Sequence, residues 1–121
     1  NLDPTGLRSE EELWTALGHV RLATAVRELG GLDAELRASA LSAGQRQLVC
    51  LARVLLSQAR IVLLDEANAQ IDVETHALVQ TVLARHLRDR TVITIAHRLH
   101  ASAGYDATIA FDRGRAALTS A

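Results

Sequence analysis

Two adjacent carboxylates, Asp65 and Glu66, close the apolar run Ile61-Val62-Leu63-Leu64. A short apolar run ending in acids reads as a buried parallel strand that delivers its carboxylates to the carboxyl edge of a sheet, where open α/β folds place their ligands. Upstream, Ser42 is followed three residues later by Gln45. That is the spacing of a capping box, in which the hydroxyl accepts the backbone N–H of the third helical residue and the amide reaches back to the N–H of the cap. A helix starting there turns its unpaired N–H groups and positive dipole end outward, which makes a ready anion site. Together the helix end and the acidic strand end point to phosphate with Mg²⁺. On spacing alone, the two acids also suit a simple cap for a helix from Asn68 onward.

The elements that must position these groups can be read from periodicity. Leu48, Leu51, Ala52 and Leu55 fall on one face of the helix opened by Ser42, and Ser57-Gln58-Ala59-Arg60 ends it before the strand. At the start of the chain, Asn1-Leu2-Asp3-Pro4-Thr5-Gly6 reads as a turn. Ser9 with Glu12 makes a second capping box, for a helix through Trp14 and Leu17. Glu10, Glu11 and Glu12 in its first turn are dipole partners on a solvated face rather than metal ligands. Gly18-His19 separates this helix from another, Val20 to Leu29, with Leu22, Val26 and Leu29 inward and Gly30-Gly31 as its stop. His19 is expected at the surface. Leu32 to Leu36 alternates apolar and acidic residues and suggests a short extended segment.

Beyond Glu66, residues Ala67 to Asp72 form a loop, and Asp72 or Thr75 begins a helix with Leu78, Val79, Val82, Leu83 and Leu87 inward. Arg85, Arg88 and Arg90 gather where a helix C-terminus favours cations, a better account of them than a phosphate patch. Thr91 to Ile95 is a second buried strand. Tyr105 to Phe111 and Arg115 to Thr119 flank Asp112-Arg113-Gly114 as a hairpin, with Gly at the positive-φ position.

Composition narrows the function classes. The 121 residues carry 13 basic and 14 acidic side chains and a net charge of −1, so there is no basic field for nucleic acid. The single Cys50 allows no internal disulfide and is expected to be buried as a small hydrophobe, as in a reducing compartment. No apolar run approaches the roughly 20 residues a membrane helix needs, and no signal-peptide pattern opens the chain. All 13 basic residues are arginine, so a G-x-x-x-x-G-K-[ST] phosphate loop, whose lysine reaches the β- and γ-phosphates, is not encoded here.

At Leu41-Ser42-Ala43-Gly44-Gln45 the chain resembles the signature motif of ATP-binding-cassette (ABC) ATPases. Ile61 to Glu66 is similar to their Walker B strand, Asn68 to Asp72 occupies the D-loop position, and His97 sits where the family has its switch histidine. Four motifs in family order are far more specific than any one of them. The run Gln45 to Arg53, with the opening Asn1-Leu2-Asp3-Pro4, is similar to the second nucleotide-binding domain of subfamily C exporters, the multidrug-resistance-associated group. Two departures stand out. Arg37-Ala38-Ser39-Ala40 replaces the Glu-Gly-Gly run and Asn usual before the signature, and Ala69-Gln70-Ile71 breaks the small-residue pattern of the D-loop.

The resemblance implies an α/β fold, part of a P-loop NTPase domain. Residues 1–45 would be a helical subdomain with the signature, and 46–121 the Walker B strand, D-loop, switch histidine and a carboxy-terminal hairpin. With no Met and an opening placed just after the family's Q-loop, the chain is expected to be the carboxy-terminal part of that domain, inactive by itself. The resemblance assigns Asp65 to Mg²⁺ and makes Glu66 the base that polarises the attacking water. It gives His97 the sensing of the γ-phosphate. Ser42, Gly44 and Gln45 would bind the γ-phosphate of ATP held on a second nucleotide-binding domain in a head-to-tail sandwich, with Asp72 coupling the two sites.

The implied activity is ATP hydrolysis powering solute export, at the cytoplasmic face of a membrane and together with the transmembrane domains of a transporter. Alternatives within the same resemblance are a nucleotide-gated channel regulator of the sulfonylurea-receptor kind, a soluble ABC ATPase acting on DNA or ribosomes, and an inactive partial domain. In the family, the strand before the Walker A loop lies between the switch-histidine strand and the hairpin. The sheet is therefore expected to be gapped between Thr91–Ile95 and Ala107–Phe111, with an uncovered apolar face, marginal stability and self-association.

Overall fold

The computed structural model describes residues 2–35, 40–65, 72–95 and 105–120. Its elements run α1 (Glu10–His19), α2 (Ala23–Glu28), α3 (Ala43–Leu56), β1 (Ile61–Asp65), α4 (Val73–His86), β2 (Thr91–Ile95), β3 (Ala107–Asp112) and β4 (Arg115–Ser120). Mixed helix and strand content agrees with the α/β expectation. Among the described residues no helix is long and apolar enough to cross a membrane.

Three helices begin where side chains satisfy the first N–H groups. Ser9 and Glu12 bond reciprocally at the start of α1, with Ser9 N donating to Glu12 Oε2 at 2.8 Å and Glu12 N to Ser9 Oγ at 3.2 Å. Arg8 adds a 3.0 Å ion pair to Glu12, and the bonds from Ser9 and Arg8 hold that carboxyl below its ordinary pKa. Asp3 fixes the preceding turn by accepting from the Thr5 hydroxyl, Thr5 N and Arg8 N, and those bonds lower its pKa in turn. Asp72 caps α4 through Thr75 N at 2.8 Å.

α2 is shorter than its apolar pattern suggests. Arg21 takes a left-handed φ of 57°, so the backbone turns once more before the helix can start at Ala23. Val20 and Leu22 are buried by this turn. Leu29, expected inward, is 38% exposed, and Gly30 and Gly31 end the helix at φ 107° and 91°. Residues 32–34 form a turn and bend, with Ala34 N bonding back to Gly31 O, where an extended segment was expected from Leu32 to Leu36; Leu36 lies outside the described residues.

The core is helical. Ala16, Leu17 and Val20 from α1 and its exit pack with Leu48, Leu51 and Ala52 of α3 and Val79 and Val82 of α4. Leu55, Leu78 and Leu83 border it, and Leu87 is buried nearby, so the inward faces of α3 and α4 match their sequence periods. Arg27 stacks over the Trp14 ring at 4.7 Å and joins α2 to α1. Cys50 is exposed on α3, contrary to the expectation of a buried thiol. It lies on the helix face opposite the leucines.

The strands form two separate two-stranded sheets. β1 and β2 pair in parallel, Ile61 with Thr91 through Asp65 with Ile95. β3 and β4 pair antiparallel across Arg113 and Gly114, whose φ angles of 45° and 77° make a two-residue turn of the kind that matches strand twist. β2 and β3 are not neighbours, in line with the expected gap. The expectation of a buried strand holds for one face of β1 only, and its other face is the uncovered apolar one. Val62 is 5% exposed, whereas Leu63 on the opposite face is 72% exposed and Ile93 and Ile95 of β2 are also open. Thr91 N bonds Arg60 O at 2.9 Å, and Arg90 donates to Val54 O at 3.0 Å, tying the start of β2 to the end of α3.

Candidate functional site

The amino end of α3 is built by one local device. Ser42 N donates to Gln45 Oε1 at 2.9 Å, and Gln45 N donates to Ser42 Oγ at 3.1 Å. Both side-chain acceptors are thereby committed to the helix start, and Ser42 keeps its hydroxyl proton to donate outward. The N–H groups of Ala43 and Gly44 have no partner within the helix. Among the described residues no acceptor reaches them. Arg46 Nη1 bonds Leu41 O at 2.7 Å and braces the chain as it enters the cap.

Gly44 faces the start of α4. A Cβ added there would sit 3.5 Å from Thr75 Oγ1 and 3.8 Å from Asp72 Oδ2. These are ordinary contact distances, so packing within this chain does not demand glycine. The structure thus brings Ser42, Gly44, Gln45 and Asp72 to one place, where the amino ends of α3 and α4 meet. The Asp72 carboxylate is held by Thr75 N and by the Thr75 hydroxyl at 2.8 Å. Those bonds, the backbone one foremost, keep its pKa below the usual carboxylate value. Sequence reading named Thr75 only as a possible helix start, and its spacing of three from Asp72 was the available signal for this pairing.

Asp65 ends β1, beside Ile95 across the parallel pair, and its side chain is exposed. Among the described residues it makes no hydrogen bond or ion pair to the α3 end. Glu66, His97 and Gln70 lie outside the described residues, so the acidic pair and the histidine cannot be placed against Asp65.

The donor sets fit the groups expected there. Two unpaired backbone N–H groups, a hydroxyl and a residue without a side chain at a helix N-terminus suit an anionic oxygen. The described residues hold no group of three or more His, Cys, Asp or Glu suited to a metal. A single exposed carboxylate instead suits an ion such as Mg²⁺, which takes one or two carboxylates and completes its shell with phosphate and water.

The basic residues at the end of α4 do not form a phosphate patch. Arg88 Nε donates to Ala84 O of its own helix at 3.0 Å, and Arg90 serves the last turn of α3. Both are cations on helix C-termini, as the dipole favours.

Comparison with known proteins decides what this arrangement belongs to. The family model described as ABC transporter matches residues 5–69, more than half of the chain. This chain belongs to the ABC transporter family. It is 44% identical over 117 residues to ATP-binding cassette sub-family C member 10 of Mus musculus, covering 95% of this chain and 8% of that protein. It is 47% identical over 117 residues to sub-family C member 3 of Mus musculus, covering 94% of the chain and 8% of that protein. ABC transporter ecdL of Aspergillus rugulosus is 45% identical over 114 residues, again 94% of the chain and 8% of the relative. This ABC transporter segment therefore spans about 8% of the length of these relatives, and its similarity is to subfamily C.

Proposed function

We propose that the chain is the carboxy-terminal part of one nucleotide-binding domain of a subfamily C-like exporter, in which ATP hydrolysis drives a solute across a membrane. Residues 1–45 are its helical subdomain and signature, and 46–121 its Walker B strand, D-loop, switch histidine and hairpin. The observation that carries the reading is the convergence of Ser42, Gly44, Gln45 and Asp72 at the joined ends of α3 and α4, with unpaired N–H groups at the α3 end.

In this reading the α3 end faces outward, toward ATP on a second nucleotide-binding domain. The Ala43 and Gly44 N–H groups and the Ser42 hydroxyl donate to its γ-phosphate, while the Gln45 amide holds the cap that aims them. Gly44 leaves room for the partner's phosphate to approach the backbone, a demand from outside the chain, since a Cβ fits within it. Asp72, fixed by Thr75, presents its loop to the same interface. Asp65 holds Mg²⁺, which when bound neutralises phosphate charge. Glu66 takes the proton of the attacking water and His97 contacts the γ-phosphate. With no lysine in its sequence, the chain by itself lacks the group that reaches the β- and γ-phosphates and does not turn over ATP.

The test is made in the intact transporter. Glu66→Gln is expected to lower ATP turnover by about 10²–10⁴-fold with ATP binding retained, because it removes the base and keeps the volume. Asp65→Asn is expected to weaken Mg²⁺-dependent binding instead. Small and equal effects of the two substitutions on turnover and binding would overturn the division of roles.

A further inference from the structure

The Asp72 carboxylate takes two hydrogen bonds from Thr75, and they have different consequences. The Thr75 backbone N–H donates to Oδ1 at 2.8 Å, which is the amino-terminal cap of α4. The Thr75 hydroxyl donates to Oδ2, also at 2.8 Å. A cap is complete with the backbone bond alone, so the hydroxyl bond is surplus to starting the helix. The oxygen it holds is the one that faces α3. A Cβ added at Gly44 would meet Asp72 Oδ2 at 3.8 Å, with Thr75 Oγ1 and Cγ2 beside it at 3.5 and 3.6 Å.

We propose that the Thr75 hydroxyl is a positioning group: it restrains Asp72 Oδ2 beside Gly44 and so keeps the chain's own carboxylate from competing with a phosphate oxygen for the N–H groups at the amino end of α3. The inference rests on the nucleotide reading of that site and adds the means by which the site stays open.

The need for restraint follows from the chemistry of the two helix ends. The unpaired N–H groups of Ala43 and Gly44 and the positive end of the α3 dipole attract any anion within reach. One anion is already beside them. Its bonds to Thr75 keep the Asp72 pKa below the usual carboxylate value, so the group is ionised at neutral pH. Asp72 is exposed, and the terminal torsion of an aspartate is broad and soft. Held through Oδ1 alone, the carboxylate can turn Oδ2 away from Thr75 and toward the α3 end. The hydroxyl bond removes that freedom. Thr75 is suited to the task because a β-branched side chain is stiff about its first torsion, and its methyl rests against the space above Gly44.

A competitor carried on the same chain has a kinetic signature. It raises the ATP concentration needed to fill the site and leaves the filled state unaltered, so KM rises and kcat does not. A substitution that merely loosened α4 would lower kcat, and more ATP would not restore it.

The test is ATP turnover of the intact transporter as a function of Mg-ATP concentration. Thr75→Val keeps the branched shape and the backbone N–H and loses the hydroxyl. It is expected to raise the KM for ATP by about 3–10-fold, the size of one hydrogen bond, with kcat retained. Thr75→Ala is expected to do the same, and it decides should the valine variant fail to assemble. Thr75→Ser, which keeps the hydroxyl, is expected to return KM toward the parent value. An unchanged KM in the variants without a hydroxyl overturns the role given to Thr75. So does a fall in kcat that saturating ATP does not restore, or a serine variant as impaired as the valine one. Glu66→Gln is measured beside them. If it keeps full turnover, the nucleotide reading itself falls; if it loses turnover while Thr75→Val and Thr75→Ala keep the parent KM, only the role of Thr75 does.

Discussion

Leu17 on α1 and Leu63 on β1 are the same residue type with opposite surroundings: the first is 0% exposed and the second 72%. The difference belongs to the elements that carry them. α1, α3 and α4 are amphipathic, and each finds its partner within this segment, so their leucine faces close on one another around Leu17, Leu51 and Val82. β1 and β2 are parallel strands, which need cover on both faces. Only the side carrying Val62 has it. The hairpin goes further, with every residue of β3 exposed and Phe111 at 78%. Among the described residues the helices close on one another around a buried cluster, and the strands do not.

The largest effect should come from breaking the closed side of this contrast. Leu17→Ala empties a fully buried site between α1 and α3, and costs of this kind run at about 2–5 kcal/mol. Whole domains of this size have only about 5–15 kcal/mol of stability. Urea denaturation followed by far-UV circular dichroism should show a large fall in midpoint. A loss below about 1 kcal/mol would mean that the helical cluster is as loosely packed as the strands.

A middle-sized effect should separate local from long-range anchoring. Ser42→Ala removes the acceptor for Gln45 N and leaves the amide of Gln45 to hold the cap alone, which typically costs about 1 kcal/mol. Ser9→Ala, in the same motif on α1, should cost about as much by the same denaturation assay. If Ser42→Ala were neutral while Ser9→Ala was not, the α3 end would be held chiefly by the Arg46–Leu41 bond rather than by its box.

These two caps were legible in the sequence because a cap is a relation over three residues. The same holds for Asp72 with Thr75, for the glycine stop at Gly30-Gly31 and for the turn at Arg113-Gly114. What escaped was whatever depends on distant chain or on an unusual backbone angle. Arg90 reaches Val54 across 36 residues, and nothing local marks it. Arg21 at φ 57° postpones α2 by a turn that the apolar pattern of Val20, Leu22 and Val26 does not reveal. The run Ile61–Leu64 looks alike on both faces, so the expectation of an uncovered apolar face could not say which side of β1 it would be. The ring contact of His19 with His86 joins a residue expected at the surface to one that no local signal marks. For the candidate site, the positions at the α3 and α4 ends were named from sequence and converge in the structure. Glu66 and His97 lie outside the described residues.

The smallest effect tests the open side. Leu63→Thr introduces a β-branched residue suited to a strand and removes a side chain already mostly in water, so its cost should stay within about 0.5 kcal/mol. Val62→Ala, one residue away on the covered face, removes two buried methyl groups and should cost about 1.5–3 kcal/mol. The two substitutions therefore measure the asymmetry of β1 directly. If Leu63→Thr proved as costly as Val62→Ala, the outer face would be buried in solution, and another copy of the chain is the first candidate, since no described segment of this one lies over it. In that case the cost would fall as the protein was diluted, because stability borrowed from association follows mass action. A cost independent of concentration would place the cover within the chain itself and end the contrast between the two leucines.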